Sequence, residues 1–151
     1  MHSEKWDLRF LELAATISKW SKDPSTKCGC IIVRPDRTVA TMGYNGFPRR
    51  MEDPAELYVE RDIKYSRVIH AEMNALLTAK ESLRGYTLYA YPAWPCDRCA
   101  VHMIQAGLVR VVSVDAINDF GVRWNSSLAI AYFREAGIDM QGYKNDIDEN
   151  I

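Results

Sequence analysis

Two short motifs constrain this chain more than anything else in it: His70-Ala71-Glu72, and Pro95-Cys96-Asp97-Arg98-Cys99, whose first cysteine lies 24 residues after Glu72. Together they supply three soft metal ligands, His70, Cys96 and Cys99, and one acid, Glu72, that need not be a ligand. That inventory suits a catalytic zinc, in which three protein groups hold the metal and a fourth position keeps a water. Zinc lowers the pKa of such a water from about 15.7 to roughly 7. A carboxylate two residues from the ligating histidine is then placed to carry protons.

The spacings carry geometry. Cys96 and Cys99 open a predicted helix just after Pro95, and positions three apart are neighbours on one helical face. A helix N-terminus also favours thiolates, the ligating form. His70 and Glu72 are two apart and do not share a face, so a site using both lies off the N-terminal end of their helix. His102 is a rival ligand, but it is rotated about 120° from Cys96 around the helix. His70 is therefore the better third ligand. Each motif has a blander reading alone. Cys-x-x-Cys also describes a thioredoxin-like redox pair, His70 a helix-end hydrogen bonder, and Glu72 a first-turn acid complementing the helix dipole. The redox reading gives His70 and Glu72 no role.

The chain has 151 residues, 48% hydrophobic and 26% charged, which fits one soluble globular domain spanning residues 1–151. A net charge of -1 gives no reason to expect nucleic acid as the main partner, since a binder of long strands usually shows a basic face. No apolar run is long enough for a membrane span, and the first residues lack a signal-peptide core. With four cysteines (28, 30, 96 and 99) the expectation is a reducing, cytoplasmic setting in which Cys-x-x-Cys binds metal or does redox work.

Helical periodicity runs over residues 5–20 and stops at Asp23-Pro24-Ser25. Cys28–Val33 and Thr38–Met42 read as a hairpin around Arg34-Pro35-Asp36-Arg37. Gly43-Tyr44-Asn45-Gly46-Phe47-Pro48 reads as a loop, and residues 49–69 as a polar stretch with a short helix from Pro54. Further helices are expected at His70–Lys80, Cys96–Ala106 and 125–136, with strands at Tyr86–Tyr91, Val109–Val114 and Ile138–Tyr143. An acidic, frayed tail is expected from Asn145. Alternating strands and helices in the second half argue for parallel pairing, hence an α/β fold: a three-layer α/β/α sandwich on a five-stranded mixed sheet.

At these residues the chain resembles the deoxycytidylate (dCMP) deaminases of the cytidine deaminase superfamily, whose zinc signature is His-x-Glu with Pro-Cys-x-x-Cys. The resemblance covers roughly residues 5–142. It runs through Ser21–Cys30, Gly43–Pro48, His70–Leu76, Pro95–Ala100 and Ile104–Gly107. It implies a cytidine deaminase-like fold and hydrolytic deamination at C4 of cytosine, with Glu72 moving the protons and dUMP and ammonia as products. Ser25 and Lys27 are then candidates for the 5′-phosphate, Asn45 for the sugar, and the backbone near Ala71 and Cys96 for the base. Lys27 has the chemistry of a phosphate counter-charge, or is an ordinary solvated lysine; Ser25 is equally a turn residue. Trp94 and Trp124 are aromatic candidates for covering a pyrimidine, or packing residues. Where relatives carry a tyrosine after the fourth strand, this chain has Ile117, and Trp124 or Arg123 is the candidate substitute.

The resemblance further implies a homohexamer, activated by dCTP and inhibited by dTTP, each with Mg²⁺. Gly46, Arg49 and Arg50 are the candidate effector contacts, the two arginines being otherwise a solvated basic turn. Cys28 and Cys30 share a strand face, and packing is preferred to a second metal. The rivals are another zinc base deaminase (cytidine, guanine or tRNA) and a zinc-stabilised binding module without catalysis. A structural zinc normally fills all four positions with protein ligands, and only three are evident here.

Overall fold

The structure is a computed structural model describing residues 2–115 and 125–147. An N-terminal helix, α1 (Glu4–Ser18), leads into strands β1 (Gly29–Val33) and β2 (Val39–Tyr44). A 3-10 turn (Ala55–Tyr58) and a short helix α2 (Arg61–Arg67) follow, then α3 (Ala71–Thr78), β3 (Thr87–Tyr91), α4 (Asp97–Gln105) and β4 (Arg110–Val114). Helix α5 (Ser126–Glu135) and strand β5 (Asp139–Tyr143) complete the described elements.

The five strands form one sheet in the order β2-β1-β3-β4-β5. β1 is antiparallel to both β2 and β3, whereas β3, β4 and β5 run parallel. Strand alternation divides the core in two. Cys30, Ile32, Leu88, Ala90 and Val111 point to the side of α3, α4 and α5, where Ala75, Met103 and Phe133 meet them. Ile31, Val33, Tyr89, Tyr91, Val112 and Val114 point to the other side, against Phe10, Leu11, Ala14 and Ile17 of α1. The result is the expected three-layer α/β/α sandwich.

Two glycines set how closely the outer layers approach the sheet. A Cβ on Gly29 would sit 2.0 Å from the Ala14 carbonyl oxygen of α1. One on Gly43 would sit 2.5 Å from the Ala71 oxygen and 2.7 Å from the Ala75 nitrogen of α3. The start of α3 therefore rests directly on the end of β2.

Several boundaries differ from the sequence reading. Gly43 and Tyr44, expected in a loop, extend β2, because their backbones pair with Cys30 and Gly29 of β1. α1 stops at Ser18, so Trp20 lies beyond it and is exposed. Residues 49–69 hold α2 as well as the short helix after Pro54. Fraying from Asn145 is corrected at Ile147, which is buried among the α1-side core residues because an isoleucine there removes apolar surface from water. Residues 148–151 lie outside the described part.

Candidate metal centre and substrate cavity

Register places the two motifs at one end of the sheet. Gly29 pairs with both Tyr44 and Tyr91, so Cys28, Asn45 and the segment after β3 emerge side by side. This is the carboxyl end of the parallel strands, where open α/β sheets bind ligands. Here α4 begins, with Cys96 as its N-cap and the Cys96 sulfur accepting from the Cys99 N–H at 3.4 Å. α3 begins nearby, and His70 is its N-cap with an extended backbone. The three candidate metal ligands thus lie at the mouths of two helices.

His70 Nδ1 lies 3.4 Å from Cys96 Sγ and 3.5 Å from Cys99 Sγ. All three donor atoms fall within 4.8 Å of one another, and they are the metal-competent cluster found among the described residues. One imidazole nitrogen and two sulfurs converging in a buried pocket fit zinc, which takes N and S ligands tetrahedrally. His102 is exposed and donates from Nδ1 to the Arg98 carbonyl at 2.7 Å, away from this cluster. Cys30 is fully buried in the core and Cys28 packs beside it.

The protonation pattern has clear causes. Hydrogen bonding with Cys99 lowers the pKa of the Cys96 thiol against the opposing effect of burial, and His70 adds to the lowering. Cys99, the other half of that hydrogen-bonded pair and itself buried, is pushed up. Its hydrogen bond to Cys96 raises His70 above the ordinary imidazole value. Burial raises the Glu72 carboxyl, with His70 opposing. A divalent cation at the three donors would take both thiols as thiolates and release their protons.

A cavity opens over this cluster. It is lined by His70, Glu72 and Cys96 of the cluster region, by Ala93, Trp94 and Pro95 from the segment after β3, and by Asp23, Ser25, Thr26, Cys28, Asn45, Lys64 and Val68. Of the sequence candidates, Glu72, Ser25, Asn45 and Trp94 are brought to it. Trp94 is held by a hydrogen bond from Nε1 to Asp115 at 3.2 Å. Ala71 is fully buried in the core and does not line the cavity. Lys27 is exposed and its ammonium donates to the Ser21 carbonyl; the lysine lining the cavity is Lys64. Gly46, Arg49 and Arg50 line a separate groove with Lys22, Tyr44 and Asp53. Trp124, Arg123 and Ile117 lie outside the described residues.

Asp23 and Lys64 are wall residues that sequence reasoning missed. Asp23 sits in a segment read as a helix stop and as part of the family-like Ser21–Cys30 loop, with no role given to Asp23 itself. Lys64 sits in a stretch read as polar, and no local pattern distinguishes a lysine that will be buried.

The model for the cytidine and deoxycytidylate deaminase zinc-binding region matches residues 4–115. The chain belongs to this family. It is 37% identical over 145 residues to a deaminase from the luxG 3′ region of Aliivibrio fischeri, a match covering 95% of this chain and 97% of that one. It is 34% identical over 114 residues to mouse deoxycytidylate deaminase, covering 72% of this chain and 64% of the mouse protein. Its fold matches the crystal structure of a dCMP deaminase from the cyanophage S-TIM5, in complex with dCMP and dUMP, with a TM-score of 0.77. That likeness is at 23% identity and covers 94% of this chain and 99% of the other. Among the described residues no helix is long and apolar enough to cross a membrane.

Proposed function

We propose that the chain is a single-domain, zinc-dependent hydrolytic deaminase that converts dCMP to dUMP and ammonia, supplying dUMP for thymidylate synthesis. The observation that carries this is Glu72, a buried carboxyl of raised pKa that lines a cavity beside a His-Cys-Cys donor set. His70, Cys96 and Cys99 would hold the zinc, which would supply an activated water at neutral pH. Glu72 is the group that holds and moves protons: burial makes its carboxyl a better base than an exposed one, so it can carry one proton of the attacking water to the ring N3 and then the second, from the new C4 hydroxyl, to the amine that leaves as ammonia. Pro95 and Trp94 line the cavity and exclude water from a planar base.

Support for the nucleotide comes from Ser25 and Asn45 in the cavity wall and from the relatives' names. Lys27 stays a candidate for the phosphate, reaching it only if its ammonium leaves the Ser21 carbonyl. Trp124 stays a candidate base cover, and the Ala71 backbone a candidate base contact. From the family resemblance we further propose a triphosphate effector, dCTP activating and dTTP inhibiting with Mg²⁺, in a cytoplasmic homohexamer, with the groove lined by Gly46, Arg49 and Arg50 as its candidate site.

The test compares dCMP, cytidine, cytosine, guanine and dCTP with zinc-loaded wild type and with Glu72→Gln. Preferred turnover of dCMP is expected, with kcat falling about 10²–10⁴-fold in the variant while zinc is retained. Full activity in Glu72→Gln removes Glu72 from the mechanism. Preference for an unphosphorylated substrate refutes the dCMP assignment.

A further inference from the structure

The cavity wall contains a buried ion pair. Lys64 Nζ lies 2.9 Å from Asp23 Oδ1, with side chains 7% and 4% exposed. An exposed pair would contribute little, but breaking a buried one leaves the survivor uncompensated. The same carboxylate organises its neighbours. Oδ1 accepts from the Ser25 and Thr26 N–H groups at 2.8 and 3.4 Å, and Oδ2 accepts from Asn45 Nδ2 at 3.4 Å. Asn45 in turn accepts from the Cys28 N–H at 2.8 Å and donates to the Thr26 carbonyl at 2.9 Å. One carboxylate thereby joins three separate pieces of chain: residues 23–26, the residue after β2, and α2. Ser25 and Thr26 line the cavity, and among the described residues their hydroxyls make no hydrogen bond.

We propose that the Asp23–Lys64 pair is a positioning device that pins α2 to residues 23–26, setting the Ser25 and Thr26 hydroxyls and Asn45 where the polar end of a pyrimidine nucleotide meets them. The substrate's identity rests on the dCMP reading above; the pin does not. Asp23 and Lys64 act through the loop and carry no proton of the reaction. Their loss therefore falls on substrate binding, not on the step Glu72 performs.

The test uses zinc-loaded Asp23→Asn, Lys64→Met and the double variant. Each single change strands a buried group, whereas the double removes both charges and should recover most of the lost thermal stability. KM for dCMP is expected to rise about tenfold in all three, the double included, with kcat within about twofold of wild type. Amide hydrogen exchange is expected to quicken together in residues 21–28 and 61–67, while 97–105 stays protected. Recovery of KM along with stability in the double variant would reduce the pair to a structural role and overturn the proposal. So would quickened exchange in 61–67 alone. If wild type prefers another cytosine compound, the KM comparison is made on that compound. If it deaminates nothing, the functional reading falls, and the exchange pattern still decides whether the pin exists.

Discussion

Asp7→Asn tests a buried carboxylate that accepts four hydrogen bonds. Asp7 of α1 is 2% exposed and meets Arg110 of β4, itself 4% exposed, through two hydrogen bonds of 2.7 Å. Tyr89 of β3 donates to the same carboxylate at 2.9 Å and Tyr143 of β5 at 2.8 Å. One side chain thus ties the N-terminal helix to three strands. The asparagine keeps the shape but leaves a buried guanidinium without its counter-charge, which costs about 3–5 kcal/mol. Arg110 Nε retains Asp139 at 3.1 Å, a carboxylate with a side chain 63% exposed, so the lower end applies. About 3 kcal/mol at roughly 2–4 °C per kcal/mol for a chain of this size lowers Tm by roughly 6–12 °C. Calorimetry or urea unfolding of the zinc-loaded proteins measures it. The pH dependence has a definite sign. Burial alone would raise the Asp7 carboxyl, but the hydrogen bonds from Arg110, Tyr143 and Tyr89 outweigh it and hold the folded-state pKa below the ordinary value. Its stabilisation is therefore present above the unfolded pKa of about 3.9 and is lost as pH falls through the folded value. The gap between wild type and variant should begin to narrow below about pH 4 and close only below the folded-state value, a difference from which acid release of zinc largely cancels. A Tm drop under about 2 °C, or a gap that does not change with pH, would refute this account of the network.

Two further substitutions bear on the site. Cys99→Ser is expected to lose most bound zinc by metal analysis, whereas His102→Ala, exposed and bonded only to its own helix, should keep both zinc and activity; zinc loss in His102→Ala would reopen the ligand assignment. Gly43→Ala places a methyl against the Ala71 oxygen and Ala75 nitrogen. It should cost about 1–3 kcal/mol of stability and lower kcat by displacing Glu72 on α3, and unchanged values for both would show that α3 can yield there.

The chemistry was legible because its residues are close in sequence and their types are restrictive. His-x-Glu and Pro-Cys-x-x-Cys each sit at a helix start, and local geometry alone placed the metal at helix ends and set His102 aside. The layers were legible from strand alternation and from the strand-helix rhythm of the second half. The cavity wall was legible only in part: Ser25, Asn45 and Trp94 were named and line it, whereas Asp23 and Lys64 were not named. Lys27 had the better local argument as the cavity cation, yet its ammonium turns to the Ser21 carbonyl. Lys64, 41 residues from Asp23, is the lysine that lines the cavity. β2 was cut short for a similar reason: the Gly-Tyr pair at its end looks like loop until β1 pairs with it.

The sequence by itself determined the donor set, the acid beside it and the alternation that sorts the core, since each depends on neighbours within a few positions. Tertiary structure alone decided that Asp23 and Lys64 are the charged pair in the cavity wall. Burying a charge is tolerated only where a partner waits, and the partner's position depends on how segments far apart in the chain are brought together.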